Sequence, residues 1–219
     1  MIKPMLFNTE MVRALLSGQK TETRRLVKPT HLIKHPEVQE KKLIEKLCEP
    51  PCEPGDVLYV RETWGEDKNG FIYKADFSDA DLEKIACVTK WRPSIHMPKK
   101  AARIFLKVTG VRVERLFDSF FKSGSSIQDL RAEGIHIPEV CAECIETYDY
   151  PCCNDEDAEG SECGNLDSVR DEFAKLWDST IKPADLDRFG WAANPWVWVI
   201  SFERCDKPEE ICGGGKQWS

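Results

Sequence analysis

Short stretches of alternating apolar and polar residues, separated by turn signals, constrain the fold of this 219-residue chain more than any other feature. Pro54-Gly55-Asp56 is typical of a turn, and residues 57–62 then alternate as a half-buried β-strand does. The same pattern predicts further strands over residues 71–75, 102–108, 111–116 and 196–202.

Short helices are predicted between these strands. The first begins with Thr9 as its N-cap, continues to Leu16 and is ended by Gly18. Others are expected near residues 40–47, over residues 125–132, and over residues 169–177 with Asp167 or Ser168 as the cap. Because the elements do not follow a βαβ rhythm, we expect an α+β fold with a small mixed β-barrel flanked by short helices.

The formal net charge of −7 limits the partners of this chain. A protein that wraps long nucleic acid normally carries an excess of Lys and Arg. Residues 143–162 hold eight acidic residues and no basic one, and the remainder has 31 basic against 30 acidic residues. Long duplex nucleic acid is therefore disfavoured, whereas a small ligand or a short single strand is permitted.

The apolar runs of the sequence are short. The run over residues 196–200 is far below the length that crosses a bilayer, and the N-terminal stretch soon meets Glu10 and Arg13, unlike a signal peptide. We therefore expect no membrane partner and a cytoplasmic location.

Ten cysteines are more than packing needs in a cytoplasmic chain, where disulfides are rare. Residues 137–165 are acidic, cysteine-rich and aperiodic, and we interpret them as an insertion in one domain over residues 1–205, followed by a flexible tail over 206–219. Thiolates there match a tetrahedral structural Zn²⁺ site, against the alternative of a reduced, flexible loop. The expected ligands are Cys141, Cys144, Cys163 and Cys153 or its neighbour Cys152. No other cofactor is expected.

Four segments carry a resemblance to a known family. Residues 18–25 read G-Q-K-T-E-T-R-R and fit the pattern G-x-K-x-x-T-x-R. Residues 55–64, 91–98 and 194–200 read G-D-V-L-Y-V-R-E-T-W, W-R-P-S-I-H-M-P and N-P-W-V-W-V-I. In this order they resemble the ASCH family, relatives of the PUA and EVE barrels, and especially the larger ASCH proteins often found in phages and prophages.

The resemblance implies a PUA-like barrel whose pocket, beside the first helix, binds RNA or modified nucleosides. A compact bacterial member with a similar first motif is an amidohydrolase that removes the acetyl group from N4-acetylcytidine. Its catalytic Lys and Thr match Lys20 and Thr23, and its catalytic Glu is matched by Glu133. Arg25, fixed in charge, suits a phosphate or carbonyl oxygen.

These residue types fit amide hydrolysis, which needs a nucleophile, a proton acceptor and a group that stabilises the oxyanion. A Lys enclosed in a pocket can serve as nucleophile, base or electrostatic partner, a Thr hydroxyl can attack or donate, and a Glu can carry the proton. Apart from the resemblance, a basic turn after a helix is normally a solvated surface.

Glu62 and Trp64 are further candidates for ligand contacts. Glu62 shares a strand face with Leu58 and Val60, so its carboxylate is expected to point inward, where it can accept a hydrogen bond from a base. Trp64 can stack on the ring of that base. The structural alternative is a salt bridge from Glu62 to Arg61 or Arg103, with Trp64 in the core.

Three functions remain open from the sequence. The first is a hydrolase acting on an N-acylated nucleoside, which Lys20, Thr23 and Glu133 favour. The second is a non-enzymatic protein that binds modified or short RNA, which the chain length and the aromatic content favour. The third is a ribonuclease, since some ASCH proteins are thought to cleave RNA.

Overall fold

The computed structural model of the chain describes residues 1–27, 41–78, 80–82, 90–117, 130–135 and 166–209, with side chains of the last range from residue 169. Its strands are β1 Ile2–Leu6, β2 Glu22–Leu26, β3 Val57–Arg61, β4 Trp64–Asp67, β5 Gly70–Tyr73, β6 Phe105–Arg115 and β7 Trp196–Cys205. Its α-helices include α1 Thr9–Leu16, α2 Lys41–Leu47, α3 Leu166–Ser179 and α4 Leu186–Phe189. This mixture confirms the predicted α+β class. None of the described helices is long and apolar enough to cross a membrane.

Five of the strands form one sheet in the order β1-β3-β6-β7-β2, and β4 pairs with β5 in a separate antiparallel sheet. β1 runs parallel to β3, whereas β3 and β6 are antiparallel. The N–H of Phe202 donates to Thr21 and that of Val27 to Trp196, so β7 and β2 are antiparallel. Among the described residues no pairing joins the edge strands β1 and β2, so closure of the sheet into the expected barrel stays a prediction.

The chain divides into two compact units. The first unit contains Met1–Thr21, Pro50–Val111 and Ile200–Ser219, and the second contains Glu22–Glu49 and Arg112–Val199. β6 and β7 each contribute residues to both units.

The first unit has a core built on the two-residue period of its strands. In β3, Leu58 and Val60 are fully buried while the alternate residues are partly exposed, as predicted. A second apolar cluster joins Trp64 of β4 to Met97 and Ala101, with Phe71 and Tyr73 of β5 packed against it. The β4–β5 pair therefore has its own small core.

The second unit has a core formed by α3 and β7. Val169, Phe173 and Trp177 recur at helical spacing along α3 and are buried in one cluster with Val197 and Val199 of β7. Full burial of side chains of this size contributes about 1.5–3 kcal/mol each to folding. The predicted apolar face of this helix is therefore confirmed.

The first helix differs from its prediction at the N-cap. Asn8, not Thr9, is the cap: its side-chain oxygen accepts a 2.8 Å hydrogen bond from the N–H of Met11. Thr9 is the first helical residue. The end matches the prediction, because Gly18 follows with a φ of +77°, a value that glycine adopts at little cost.

Three further predictions of local structure are wrong. Residues 102–108 and 111–116 are not two strands, since β6 runs unbroken from Phe105 to Arg115. Gly110 lies beside Ser201 of β7, and strand pairing outweighs the turn signal of Thr109-Gly110. The expected basic turn after Gln19 contains β2, and α3 begins at Leu166, before either predicted cap.

Asp56 ties the start of β3 to β1, and its carboxylate gives a pH-dependent prediction. One oxygen lies 2.8 Å from Lys3 Nζ, and the same oxygen accepts a 3.0 Å hydrogen bond from the N–H of Glu53. The hydrogen bond from Lys3 holds the pKa of Asp56 well below its usual range. Because the pKa is lower in the folded state, the charged carboxylate stabilises the protein at pH values above its unfolded-state pKa of about 4. This stabilisation is lost as the pH falls from about 4 through the folded-state pKa.

We expect Asp56→Asn to lower the free energy of unfolding by about 1.5–3 kcal/mol at pH 7, the range for hydrogen bonds to charged groups. The deficit relative to the wild type should shrink below about pH 4, where the Asp56 carboxylate of the unfolded wild type begins to protonate while that of the folded protein stays charged. Urea unfolding at pH 7 and pH 3 measures both values, with the exposed Asp206→Asn as the matched control. An equal deficit at both pH values would contradict the assignment.

Candidate functional site

Lys20 lies in the first unit, just beyond the end of α1. Its backbone N–H donates to Ala14 at 3.0 Å, so the chain folds back on the helix immediately after Gly18. The side chain is only 3 % exposed, and Nζ lies 5.9 Å from the centre of the Phe7 ring. Lys20 is therefore not a solvated surface lysine, which was the structural alternative for this turn: the helix end buries this amine against an aromatic ring.

A cavity of about 200 Å³ adjoins Lys20 within the first unit. Its wall combines the end of α1 with the outer part of β7, and it includes Leu15, Gly18, Phe202 and Arg204. Because Lys20 and Glu203 also line it, the cavity has apolar surfaces and charged groups of both signs. Pockets of this mixed character hold small polar molecules by apolar contact and orient them by a few polar groups.

Thr23 and Arg25 lie on β2 in the second unit. Thr23 is fully buried, and its hydroxyl oxygen accepts a 2.9 Å hydrogen bond from Nη1 of Arg25. The same nitrogen donates to the carbonyl oxygen of Arg24 at 3.0 Å. Arg25 therefore restricts the orientation of the Thr23 hydroxyl. One lone pair of Oγ1 faces Arg25, so the proton and the second lone pair point away from Arg25.

Arg24 and Glu133 form a buried ion pair in the second unit. Nη1 of Arg24 lies 2.6 Å from Oε1 of Glu133, and the two side chains are 1 % and 2 % exposed. Glu133 follows the helical residues 130–132, and Gly134 reverses the chain with a φ of +83°. Such a pair contributes little net stability because both charges lose their hydration, so its presence in a core calls for another reason.

The structure brings part of the predicted site together. Thr23 and Arg25 are in contact on one face of β2, whereas Glu133 is tied to Arg24, which the strand places on the opposite face. Lys20 belongs to the other unit, and its convergence with Thr23 and Glu133 on one cavity stays a prediction.

Glu62, in the first unit, points inward as predicted and is 1 % exposed. Arg103 holds it with two hydrogen bonds of 2.9 and 3.0 Å, so the salt bridge foreseen as the alternative is present. Burial raises the pKa of the Glu62 carboxyl, and the bonds from Arg103 act against this shift. Arg103 also bonds Asp76 at 2.8 Å. Ligand binding by Glu62 stays a prediction, with Arg103 as a competing partner.

Trp64 is buried in the small core of the β4–β5 pair, which is also the structural alternative for this residue. The guanidinium of Arg92 lies 4.8 Å from its ring centre, and the Phe71 ring meets it edge-on. Within the described ranges its indole N–H has no hydrogen-bond acceptor. A ligand that stacks on Trp64 would have to displace Arg92 from the ring.

The predicted zinc ligands Cys141, Cys144, Cys153 and Cys163 lie outside the described residues, as do most of residues 118–165. In the part of the chain that is described, no group of three or more His, Cys, Asp or Glu side chains is placed to hold a metal ion.

Sequence reasoning missed Arg24. Arg24 occupies a variable position in the G-x-K-x-x-T-x-R pattern, so the pattern gave no reason to select it. Successive side chains of a strand point to opposite faces, so a strand assignment would have placed Arg24 and Arg25 on opposite faces. Recognition of residues 22–26 as a strand is therefore the signal that could have found it.

Comparisons of this chain with protein-family models, with curated proteins and with solved structures return no match.

Proposed function

We propose that this chain is an ASCH-type protein with a PUA-like barrel that binds a nucleoside, or a nucleoside unit within a short RNA, through residues 18–25. The observation that carries the proposal is the burial of three side chains in this basic segment: Lys20, Thr23 and Arg24 are each 3 % exposed or less. Ionisable side chains are seldom buried without a partner or a function. An ordinary solvated turn would leave them exposed.

A second observation supports a polar ligand. Glu133 is held by Arg24 at 2.6 Å, and Thr23 is held by Arg25 at 2.9 Å. Groups fixed by such partners lose little further freedom when a ligand binds. The amide-like edge of a nucleobase offers the donors and acceptors that a carboxylate, a hydroxyl and an ammonium group can recognise. Arg25 is the proposed contact for a phosphate or carbonyl oxygen.

The reaction that we propose is hydrolysis of an N-acyl group on cytidine. Water adds to the acyl carbon, the carbon–nitrogen bond breaks, a carboxylate leaves and the exocyclic nitrogen takes a proton. Lys20 would activate the attacking group or stabilise the oxyanion, Thr23 would donate to the oxyanion, and Glu133 would move the proton. The site needs no metal for this chemistry, and the reaction fits a cytoplasmic setting.

The experiment that tests the proposal is a panel of nucleosides incubated with the purified full chain. N4-acetylcytidine, other N-acylated nucleosides and their unmodified parents are followed by mass spectrometry, and binding is followed by calorimetry. Release of the acyl group supports the hydrolase. Binding without release supports the non-enzymatic alternative, and cleavage of a short RNA supports the ribonuclease. If the chain neither binds nor modifies any of these molecules, the proposal is overturned.

A structural zinc ion in residues 137–165 is a separate proposal, based on the spacing of the cysteines. We expect about one zinc per chain after purification in reductant, because four thiolates satisfy the ion tetrahedrally. Cys141→Ser with Cys144→Ser should remove it, and Cys205→Ser, a described cysteine outside the segment, is the control. Elemental analysis measures the zinc content, and a metal-free wild type would exclude the site.

A further inference from the structure

Positive charge is segregated in the first unit and its border. Residues 90–113 contain seven Lys or Arg and no Asp or Glu, in a chain that carries more acidic than basic residues overall. Clusters of one sign produce a local potential that the net charge of the whole protein hides.

Aromatic rings of the β4–β5 pair hold several of these cations. Trp64 lies opposite Tyr73 in the register and Glu66 opposite Phe71, so the three rings share one face of the pair. Arg92 lies 4.8 Å from the centre of Trp64, and Lys100 lies 5.7 Å from the centre of Phe71.

The same arrangement extends beyond this face. Arg103 lies 3.9 Å from the Tyr73 ring, and Lys99 lies 5.9 Å from the Tyr59 ring on β3. Cations that rest on rings keep their stems in place while their charged ends stay accessible to solvent. The ring contacts therefore favour particular positions of these charges, each by about 0.5–1 kcal/mol at an exposed site.

These cations differ in how far nearby carboxylates already neutralise their charge. Arg103 is neutralised by Glu62 and Asp76. Arg92 has one long contact of 3.8 Å with Glu66, and both side chains are about half exposed, so the pair is worth about 0–1 kcal/mol. For Lys99 and Lys100, both exposed, no ion pair is present among the described residues.

We propose that Arg92, Lys99 and Lys100, here termed the cationic surface, bind the phosphodiester backbone of single-stranded RNA. This inference rests on the proposed function, since it assigns the nucleoside to a position within an RNA strand. The number of available cations matches a few phosphates and is too small for a long duplex, which also agrees with the net charge of −7. Contact with the backbone positions the strand and carries no sequence preference.

The test uses the full chain and a labelled oligocytidine of about eight nucleotides, with binding measured by fluorescence anisotropy between 0.05 and 0.3 M salt, roughly the range in which such contacts are screened. Lys99→Gln with Lys100→Gln should reduce affinity about 10- to 30-fold at 0.1 M salt. The slope of log affinity against log salt should fall by about 1.4, since each single-strand phosphate contact contributes about 0.7. Arg92 is left in place because it also covers Trp64.

Lys175→Gln with Lys182→Gln is the matched control, because these exposed lysines of the second unit change the net charge equally. Equal RNA affinity of the wild type and the Lys99/Lys100 variant overturns the cationic surface, as does an equal loss in the control. Ile95, 58 % exposed, lies in the same segment, so vesicles containing phosphatidylserine are included. Vesicle binding that depends on Lys99 and Lys100 while RNA binding does not would assign the surface to a membrane instead.

The nucleoside assays separate this inference from the proposed function. The Lys99/Lys100 variant should bind and process a free nucleoside as the wild type does. If the wild type binds RNA through these lysines but no nucleoside, the cationic surface stands and the proposed site fails. If the wild type binds nucleosides but its RNA affinity does not depend on these lysines, the proposed site stands and the cationic surface fails.

Discussion

Arg24→Ala should lower the free energy of unfolding by about 3–5 kcal/mol, one of the two largest effects expected in this chain. The truncation leaves the carboxylate of Glu133, 2 % exposed, without the guanidinium that lies 2.6 Å away. An uncompensated buried charge must then protonate or draw water into the core. Urea unfolding of both the variant and the wild type measures the loss.

Replacing both partners should behave differently. Arg24→Met with Glu133→Leu removes both charges and keeps most of the volume, so we expect stability close to that of the wild type or above it. Nucleoside binding should nevertheless be lost if the pair is retained for a ligand. A coupling energy below about 0.5 kcal/mol in the double-mutant cycle would show that the ion pair is not formed in solution.

Lys20→Ala should reduce turnover of N4-acetylcytidine by about 10³-fold, because no other group in residues 18–25 replaces an amine enclosed against Phe7. Thr23→Val keeps the shape but removes the hydroxyl, and we expect nearly the same loss. Glu133→Gln should lower kcat with little change in KM, since the amide still forms hydrogen bonds but cannot accept a proton. Single-turnover kinetics with mass spectrometry measure these rates.

Lys175→Ala, on the exposed side of α3, is the control for Lys20→Ala and should leave turnover unchanged. Unfolding curves for each variant separate a loss of chemistry from a loss of folding, which matters for Thr23 because its hydroxyl also binds Arg25. A Lys20→Ala variant that folds and retains wild-type turnover would remove Lys20 from the reaction. The other outcome is that none of these variants changes a reaction, while Lys20→Ala and Arg25→Ala weaken RNA binding, more so at low salt. In that case the protein binds RNA and is not a hydrolase.

The sequence predicts the elements whose pattern is local. The apolar face of α3, the alternation of β3 and the end of α1 at Gly18 all follow from periodicity and turn chemistry. What it misses depends on partners far along the chain. β2 reads as a basic turn and becomes a strand because β7, about 170 residues later in the numbering, pairs with it.

The candidate site shows the same division. Lys20, Thr23 and Glu133 can be selected from the family resemblance, and Glu62 from its place in a strand. The pairing of Arg24 with Glu133 joins residues widely separated in sequence, and no spacing rule predicts such a partner. Burial of Arg24 depends on this pairing, so it could not be foreseen from the residue type.

The position of β7 in the sheet has a consequence for how the molecule is made. Among the described strands, β7 comes last in the sequence but lies between β6 and β2, so ribosomes deliver this interior element after its neighbours. Until residues 196–205 leave the ribosomal exit tunnel, the edges of β6 and β2 that pair with β7 cannot do so. The backbone groups on these edges are then hydrated or bind another molecule. The sheet therefore cannot be completed before β7 emerges, and unpaired strand edges favour aggregation during that interval.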